Sequence, residues 1–201
     1  MSRIVLASAS PRRRSLLEAL GITVDVMPSA VPETAGGSPE AMVVENACAK
    51  RDDIVTRQDT PAIVIAADTL VFLDKEPLGK PATLDEAQAM LHRLSGRTHR
   101  VITGVAVCDT ARSKRATGHE TTSVTFRKLS EAEIKHFVDA VQPLDRAGAY
   151  TVDGPGSLLV SKYDGCYQNV LGLPIVRLDS VLRSIGISLL DLMDADKSVF
   201  L

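Results

Sequence analysis

The stretch Ile4-Val5-Leu6-Ala7-Ser8-Ala9-Ser10-Pro11-Arg12-Arg13-Arg14 decides how the rest of the chain is read. Its first four residues are apolar and read as a buried strand, and Ser15 to Leu20 beyond it read as a helix. Ser10 is a preferred N-cap, and Pro11 sits at the first helical position, where its missing N–H costs no hydrogen bond. Two serine hydroxyls, free backbone amides and three guanidinium groups therefore gather at the positive end of a helix dipole. That is an anion site, and phosphate is the obvious anion. On a helical wheel Leu16, Leu17 and Leu20 define an apolar face with Arg13 near its centre, Arg12 at its margin and Arg14 on the solvent side. A cation directed along a core face needs an anionic partner or a cleft. A capped first helix with solvated arginines is the simpler alternative.

Downstream, Gly21 stops the first helix and Thr23 to Met27 forms a short strand. A loop from Pro28 to Gly37 carries one acid, Glu33. Ser38-Pro39 repeats the cap-plus-proline opening and starts a helix running to about Arg57, with Ala41, Val44, Ala47, Cys48 and Ile54 apolar and Lys50 near one edge. Ala62 to Leu73 is the longest apolar run and reads as a buried central strand, broken only by Asp68-Thr69. Asp68 is anomalous there, because a buried carboxylate needs a cation, a metal or several donors. The competing reading is a structural Asp that closes a turn or bulge.

Asp74-Lys75-Glu76 suits a hairpin turn, and Lys80, between Gly79 and Pro81, sits in an ordered loop. Capping boxes at Thr83 and Ser130 open helices to about Leu94 and Val141. Thr98 to Cys108 and Glu120 to Phe126 read as an antiparallel pair joined by the polar stretch Asp109 to His119. Asp145 to Gly156 is too glycine-rich for regular structure and reads as a binding loop. Leu158 to Lys162 suits a strand and Pro174 to Ile185 a helix. Strands alternating with helices and then a long hairpin predict an α/β protein with a mixed sheet. With no repeat or clear linker, the 201 residues suit one compact domain or two small lobes.

The composition is that of an ordinary globular protein, 45 % hydrophobic and 24 % charged. A net charge of −2 gives no basis for stable nucleic-acid binding or for attraction to an anionic membrane, and 3 % aromatics without Trp give no base-stacking platform. The charge is uneven, since Arg3, Arg12, Arg13 and Arg14 all precede the first acid, Glu18. Cys48, Cys108 and Cys166 form no CxxC pattern and read as reduced thiols. With no apolar run of about 18 residues and no signal-peptide core, a cytoplasmic location is expected.

Several chemistries lack their motifs. There is no P-loop, no GxGxxG after the first strand and no GxSxG elbow. His92, His99, His119 and His136 make no metal-ligand pattern and read as surface or partly buried residues. What remains is a phosphate cradle, lysines in plausible clefts, and the isolated carboxylates Glu33 and Asp68. That set suits phosphoanhydride hydrolysis, with cations neutralising a triphosphate and carboxylates holding a divalent ion and positioning water.

These residues resemble the Maf family of nucleoside-triphosphate pyrophosphatases. Its hallmarks stand in family order as Leu6-Ala7-Ser8-Ala9-Ser10-Pro11-Arg12-Arg13, Ala67-Asp68-Thr69, Gly79-Lys80-Pro81, Leu94-Ser95-Gly96, the Asp145 to Gly154 segment and Val170-Leu171-Gly172-Leu173-Pro174. The resemblance covers nearly the whole chain and implies a single domain over residues 1–201. It implies an elongated mixed-sheet α/β fold like that of the inosine-triphosphate pyrophosphatases, with two lobes around a cleft. It also implies Mg²⁺- or Mn²⁺-assisted hydrolysis of a nucleoside triphosphate to the monophosphate and pyrophosphate, and a homodimer.

Carried over by position, Ser8, Arg13, Lys50 and Lys80 resemble phosphate ligands, Glu33 a metal-side carboxylate, and Asp68 the residue that engages the metal and activates water. Members acting on dTTP and UTP resemble this chain at Arg12 and Thr69 but carry Gln at the position of Asp153. Members acting on 7-methyl-GTP have Trp, Gln and Glu at these three places. The resemblance therefore favours dTTP and UTP, with modified pyrimidine nucleotides also accommodated. A 7-methyl-GTP pyrophosphatase, or a division regulator acting by binding a partner, are the alternatives. Arg146 stands where relatives commonly have Lys.

Overall fold

The computed structural model describes residues 3–34, 36–194 and 196–197. Seven strands form one mixed sheet: β1 (Arg3–Leu6), β2 (Asp25–Val26), β3 (Ala62–Leu73), β4 (Glu76–Leu78), β5 (Thr98–Asp109), β6 (Lys114–Phe126) and β7 (Val160–Asp164). Their order is β2-β1-β3-β5-β6-β7, with β4 also paired to β3. β1 runs parallel to both β2 and β3, with Val5 opposite Val64 and Leu6 opposite Ile65. β4 and β7 run antiparallel to β3 and β6. The predicted α/β class with a mixed sheet is the one observed.

The chain divides into two compact units. The first comprises Met1–Thr69, Thr103–Glu120 and Gly172–Leu201, and the second Leu70–Ile102 and Thr121–Leu171. The first unit holds helices α1 (Pro11–Glu18) and α2 (Pro39–Val55), and near its C-terminal end α6 (Ile175–Arg183) and α7 (Leu189–Leu192). Val5, Ala7, Val64, Ala66, Cys108 and Ile54 make an apolar cluster in this unit. Each large side chain buried this way contributes on the order of 2 kcal/mol. The second unit holds α3 (Leu84–Leu94), α4 (Glu131–Val141) and α5 (Tyr167–Leu171). There α3 packs on α4, and Leu91, Leu94, Phe126, Ile134 and Val138 fill its core.

Both proline-led helices start where expected, with Ser10 capping α1 and Ser38 capping α2. The box at Ser130 is complete. At Thr83 the side chain caps Glu86 N–H, but Glu86 accepts instead from the amide of Ala82, one residue further out.

Gly104, on β5, explains the close fit of α2. A Cβ there would lie 2.2 Å from the carbonyl oxygen of Val43, so only glycine lets the helix backbone approach this strand.

Four expectations need correction. β6 begins at Lys114 rather than Glu120, so β5 and β6 are joined by a tight turn through 110–113, a connection that admits only an antiparallel pair. The α2 face turned inward includes Asn46 and Arg51 beside Met42, Val43, Ala47 and Ile54. Ala147–Ala149 and Gly154–Leu159 form short 3₁₀ turns within the glycine-rich segment. His99 is buried, at 1 % exposure, with its Nε2 hydrogen-bonded to the Tyr150 hydroxyl at 2.6 Å, so its polar edge is not left without a partner at that atom. In addition α5 and α7 are present where the sequence pattern marked no helix.

Candidate active site

Asp68 lies inside β3, which passes through it without a break, so it does not close a turn. The carboxylate is buried, and both oxygens are engaged. Lys50 Nζ donates to Oδ1 at 2.6 Å, and Asn46 Nδ2 donates to Oδ2 at 3.0 Å. Both partners come from α2, one helical turn apart, which places them on one face. The same Lys50 ammonium donates to Glu33 Oε1 at 2.6 Å. Glu33 stands in the loop before α2, whose next residue, Thr34, is tied to Asn46 by three hydrogen bonds. The two isolated carboxylates of the sequence thus share one cation.

The β1–α1 stretch lies in the same unit. Ser10 Oγ accepts from Arg13 N–H at 3.5 Å, and Ser8 Oγ accepts from Ser10 N–H at 3.2 Å. The first turn of α1 holds no acid, and its three arginines take three different courses. Arg14 discharges onto Glu18 at the surface.

Arg13 points inward. Its Nε donates to Gly172 O at 2.8 Å, Nη1 to Ala67 O at 2.9 Å and Ser8 Oγ at 3.0 Å, and Nη2 to Thr69 Oγ1 at 3.0 Å. A guanidinium has five N–H donors, so one remains. Burial pushes the Arg13 pKa down, and the charges of Asp68 and Glu33 oppose that. Gly172 presents its carbonyl from φ +106°, and a Cβ there would press to 3.4 Å from Arg13 Nε. Thr69 Oγ1 also pairs with Thr103 Oγ1 at 2.9 Å.

Arg12 contrasts with its neighbour. Its Nη1 is buried and has no hydrogen-bond partner among the described residues.

Seven of the sequence-predicted site residues, Ser8, Arg12, Arg13, Glu33, Lys50, Asp68 and Thr69, fall in the first unit, and Lys80 and Asp153 in the second. Lys80 is exposed, and the preceding Gly79 carbonyl accepts from Gly148 N–H at 3.0 Å. Asp153 is exposed, with its Oδ1 bonded to Thr151 Oγ1. Tyr150 anchors the same segment. Its ring meets Phe126 and His99 edge to face, and Tyr167 Oη donates to Val152 O at 3.1 Å. Burial alone lowers the His99 pKa to about 4, and burial, with the charge of Tyr163 adding to it, raises that of Tyr150.

The residues missed by sequence reasoning are Asn46 and His99. Neither offered a signal: the apolar positions Ala41, Val44, Ala47, Cys48 and Ile54 leave Asn46 on the opposite side of the helix, and nothing local marks His99.

Among the described residues no group of three or more His, Cys, Asp or Glu side chains is placed to hold a metal. Glu33 and Asp68 nevertheless converge on one ammonium, so their oxygens already surround a cation. Hard carboxylate oxygens, one or two per ion with phosphates completing the shell, suit Mg²⁺ or Mn²⁺. No helix of the described residues is long and apolar enough to cross a membrane.

A family model described as Maf-like protein matches residues 3–185. A dTTP/UTP pyrophosphatase of Pelotomaculum thermopropionicum is 44 % identical over 191 residues, 94 % of this chain and all of that protein. One of Alkaliphilus oremlandii is 46 % identical over 187 residues, 92 % of this chain and 96 % of its own. Among solved structures, a HAM1 protein from Coxiella burnetii is similar with a TM-score of 0.47 and 22 % identity, covering 63 % of this chain and 73 % of that one.

Proposed function

The chain belongs to the Maf-like protein family, and from that premise we propose that it hydrolyses dTTP and UTP to the monophosphate and pyrophosphate. The reading is supported by relatives that carry the name dTTP/UTP pyrophosphatase over almost their full length. The observation that carries it is the buried Asp68 carboxylate, sharing Lys50 with Glu33 within the unit that holds the arginine-rich start of α1. The family match runs through both units, which supports residues 1–201 acting as one domain.

In this reading Asp68 takes a proton from water as the water oxygen attacks the α-phosphorus. The bond from that phosphorus to the bridging oxygen breaks, and pyrophosphate leaves with the electron pair. Glu33 and Asp68 are the residues that would hold Mg²⁺ or Mn²⁺. When bound, the ion neutralises phosphate charge and makes water more acidic.

Lys50 then serves the phosphates, joined by Ser8, Lys80 and the remaining N–H of Arg13. Arg13 is held by four protein acceptors, so its charge stays in place without reorganisation as negative charge grows on the leaving group. Arg12, Thr69 and Asp153 select the base. Asp153 accepts only, so it suits the N3–H of uracil or thymine.

The test is a nucleotide panel with Mg²⁺ or Mn²⁺, following pyrophosphate. Hydrolysis of dTTP and UTP but not 7-methyl-GTP is expected, and release of inorganic phosphate in place of pyrophosphate refutes the mechanism. Asp68→Asn, nearly isosteric, abolishes turnover with stability close to wild type. Retained turnover removes Asp68 from the chemistry.

A further inference from the structure

Asn46 has a side chain with no role in the chemistry above, yet it is buried at 2 % exposure and every polar position on it is used. Its Oδ1 accepts from the Thr34 backbone N–H at 2.8 Å and from Thr34 Oγ1 at 3.0 Å. Its Nδ2 donates to Thr34 O at 3.3 Å and to Asp68 Oδ2 at 3.0 Å. The orientation of the amide is fixed by chemistry, because a backbone N–H can only donate and must therefore face the oxygen. The nitrogen is thereby directed at Asp68.

The consequence concerns distance. One rigid amide holds the Asp68 carboxylate with one hand and, with the other, the backbone of the residue next to Glu33. Glu33 sits in a loop, Asp68 in the middle of a strand, and Asn46 in a helix. By gripping Oδ2, Asn46 also fixes the rotation of the carboxylate and leaves Oδ1 turned toward Lys50 and Glu33. An apolar residue on this inward face of α2 would pack without polar partners, so burying an amide here is costly unless each of its bonds is made.

We propose that Asn46 is the positioning residue that sets the spacing and orientation of Glu33 and Asp68 for a divalent cation, and so governs metal affinity. The inference rests on the reading of those two carboxylates as the metal-side pair. Removing an outer partner that orients a ligating carboxylate typically costs 10–100-fold in metal affinity. Asn46 acts on the ion only through Glu33 and Asp68, so its effect must vanish when they no longer ligate.

The experiment measures Mn²⁺ binding by electron paramagnetic resonance on the full chain with α,β-imido-dUTP, which cannot release pyrophosphate. Asn46→Leu, similar in volume, and Asn46→Ser, which removes any overpacking, guard against a variant that fails to fold. Both are expected to bind Mn²⁺ at least about 10-fold more weakly than wild type. Asn46→Leu placed on Glu33→Gln is expected to cost clearly less than Asn46→Leu costs in wild type, because one of the two carboxylates it positions no longer ligates, by the logic of a double-mutant cycle.

Wild-type Mn²⁺ affinity in a folded Asn46 variant overturns the inference, as does full additivity with Glu33→Gln. If instead Glu33→Gln and Asp68→Asn bind Mn²⁺ like wild type, or wild type binds none, the metal-side reading of the two carboxylates falls and takes this inference with it.

Discussion

Buried His99 makes the stability of the fold depend on pH. The imidazole is 1 % exposed and packs edge to face against Phe126, with centroids 5.0 Å apart, and against Tyr150, at 5.4 Å. Its Nε2 meets the Tyr150 hydroxyl at 2.6 Å, and its Nδ1 is buried without a hydrogen-bond partner among the described residues. Charging such a ring would place a cation in an apolar pocket, so burial lowers its pKa from 6.5 to about 4. Between these values the unfolded chain binds a proton that the folded chain refuses. Stability therefore rises with pH across the window and is lost as pH falls below 6.5.

Working the linkage through these two pKa values, His99 alone accounts for a loss of about 2 kcal/mol between pH 7 and pH 5, and of about 3 kcal/mol by pH 4. Urea denaturation at closely spaced pH values measures this loss. His99→Gln keeps a polar partner for Tyr150 but has no proton to gain, so its curve should be flatter than wild type by about 2 kcal/mol over pH 5–7. The absolute stability of the variant is secondary, because the prediction concerns the difference in slope. Parallel curves for the two proteins refute the reasoning.

Three further perturbations probe the framework of the site. Gly104→Ala drives a Cβ into the Val43 carbonyl and displaces α2, which carries Asn46 and Lys50; a loss of about 2 kcal/mol in urea and a fall in activity are expected, and a cost under about 0.5 kcal/mol contradicts the close approach. Arg13→Lys keeps the charge but not the fork, leaving acceptors such as Gly172 O and Ala67 O unpaired; about 3 kcal/mol should be lost, and a loss under about 1 kcal/mol shows that these bonds do not pin the β1–α1 stretch. Arg12→Met removes a buried donor that has no partner, so stability should hold or rise slightly while KM for dTTP rises about 10-fold or more; a stability loss above about 1 kcal/mol with unchanged KM reverses the assignment.

How much of this was legible follows from what each residue needed to declare itself. Asp68 stood out because one acid in a long apolar run needs a cation, a metal or several donors to be buried, and Ser10, Pro11 and Ser38 announced helix starts through local chemistry alone. Arg13 was visible on the helical wheel as an inward cation, but its acceptors were not, since Ala67 and Gly172 offer only backbone oxygens to it. The inward face of α2 was misjudged for a related reason. A periodicity argument counts Asn46 as solvent-facing, and only tertiary partners such as Thr34 and Asp68 make burying it tolerable.

The early part of β6 was hidden because Lys114 to Glu120 lacks apolar alternation, and pairing with β5 decides its state. His99 was hidden because its partner Tyr150 lies far along the chain.

The charges of the first unit carry the argument one step further. Glu33 and Asp68 share Lys50, their charges also act on Arg13, and Arg12 adds a guanidinium with a donor unpartnered among the described residues. A triphosphate approaching alone would meet two carboxylates and find Lys50 already committed to them. A divalent cation approaching alone would have to displace the Lys50 ammonium from the same two oxygens, leaving it without an anion. When both arrive together each cost cancels, because the carboxylates pass to the ion while Lys50 turns to the phosphates. Under the proposed activity, then, the buried Lys50 contact couples nucleotide and cation binding. Nucleotide should tighten Mn²⁺ and Mn²⁺ should tighten nucleotide by the same factor, as linkage demands.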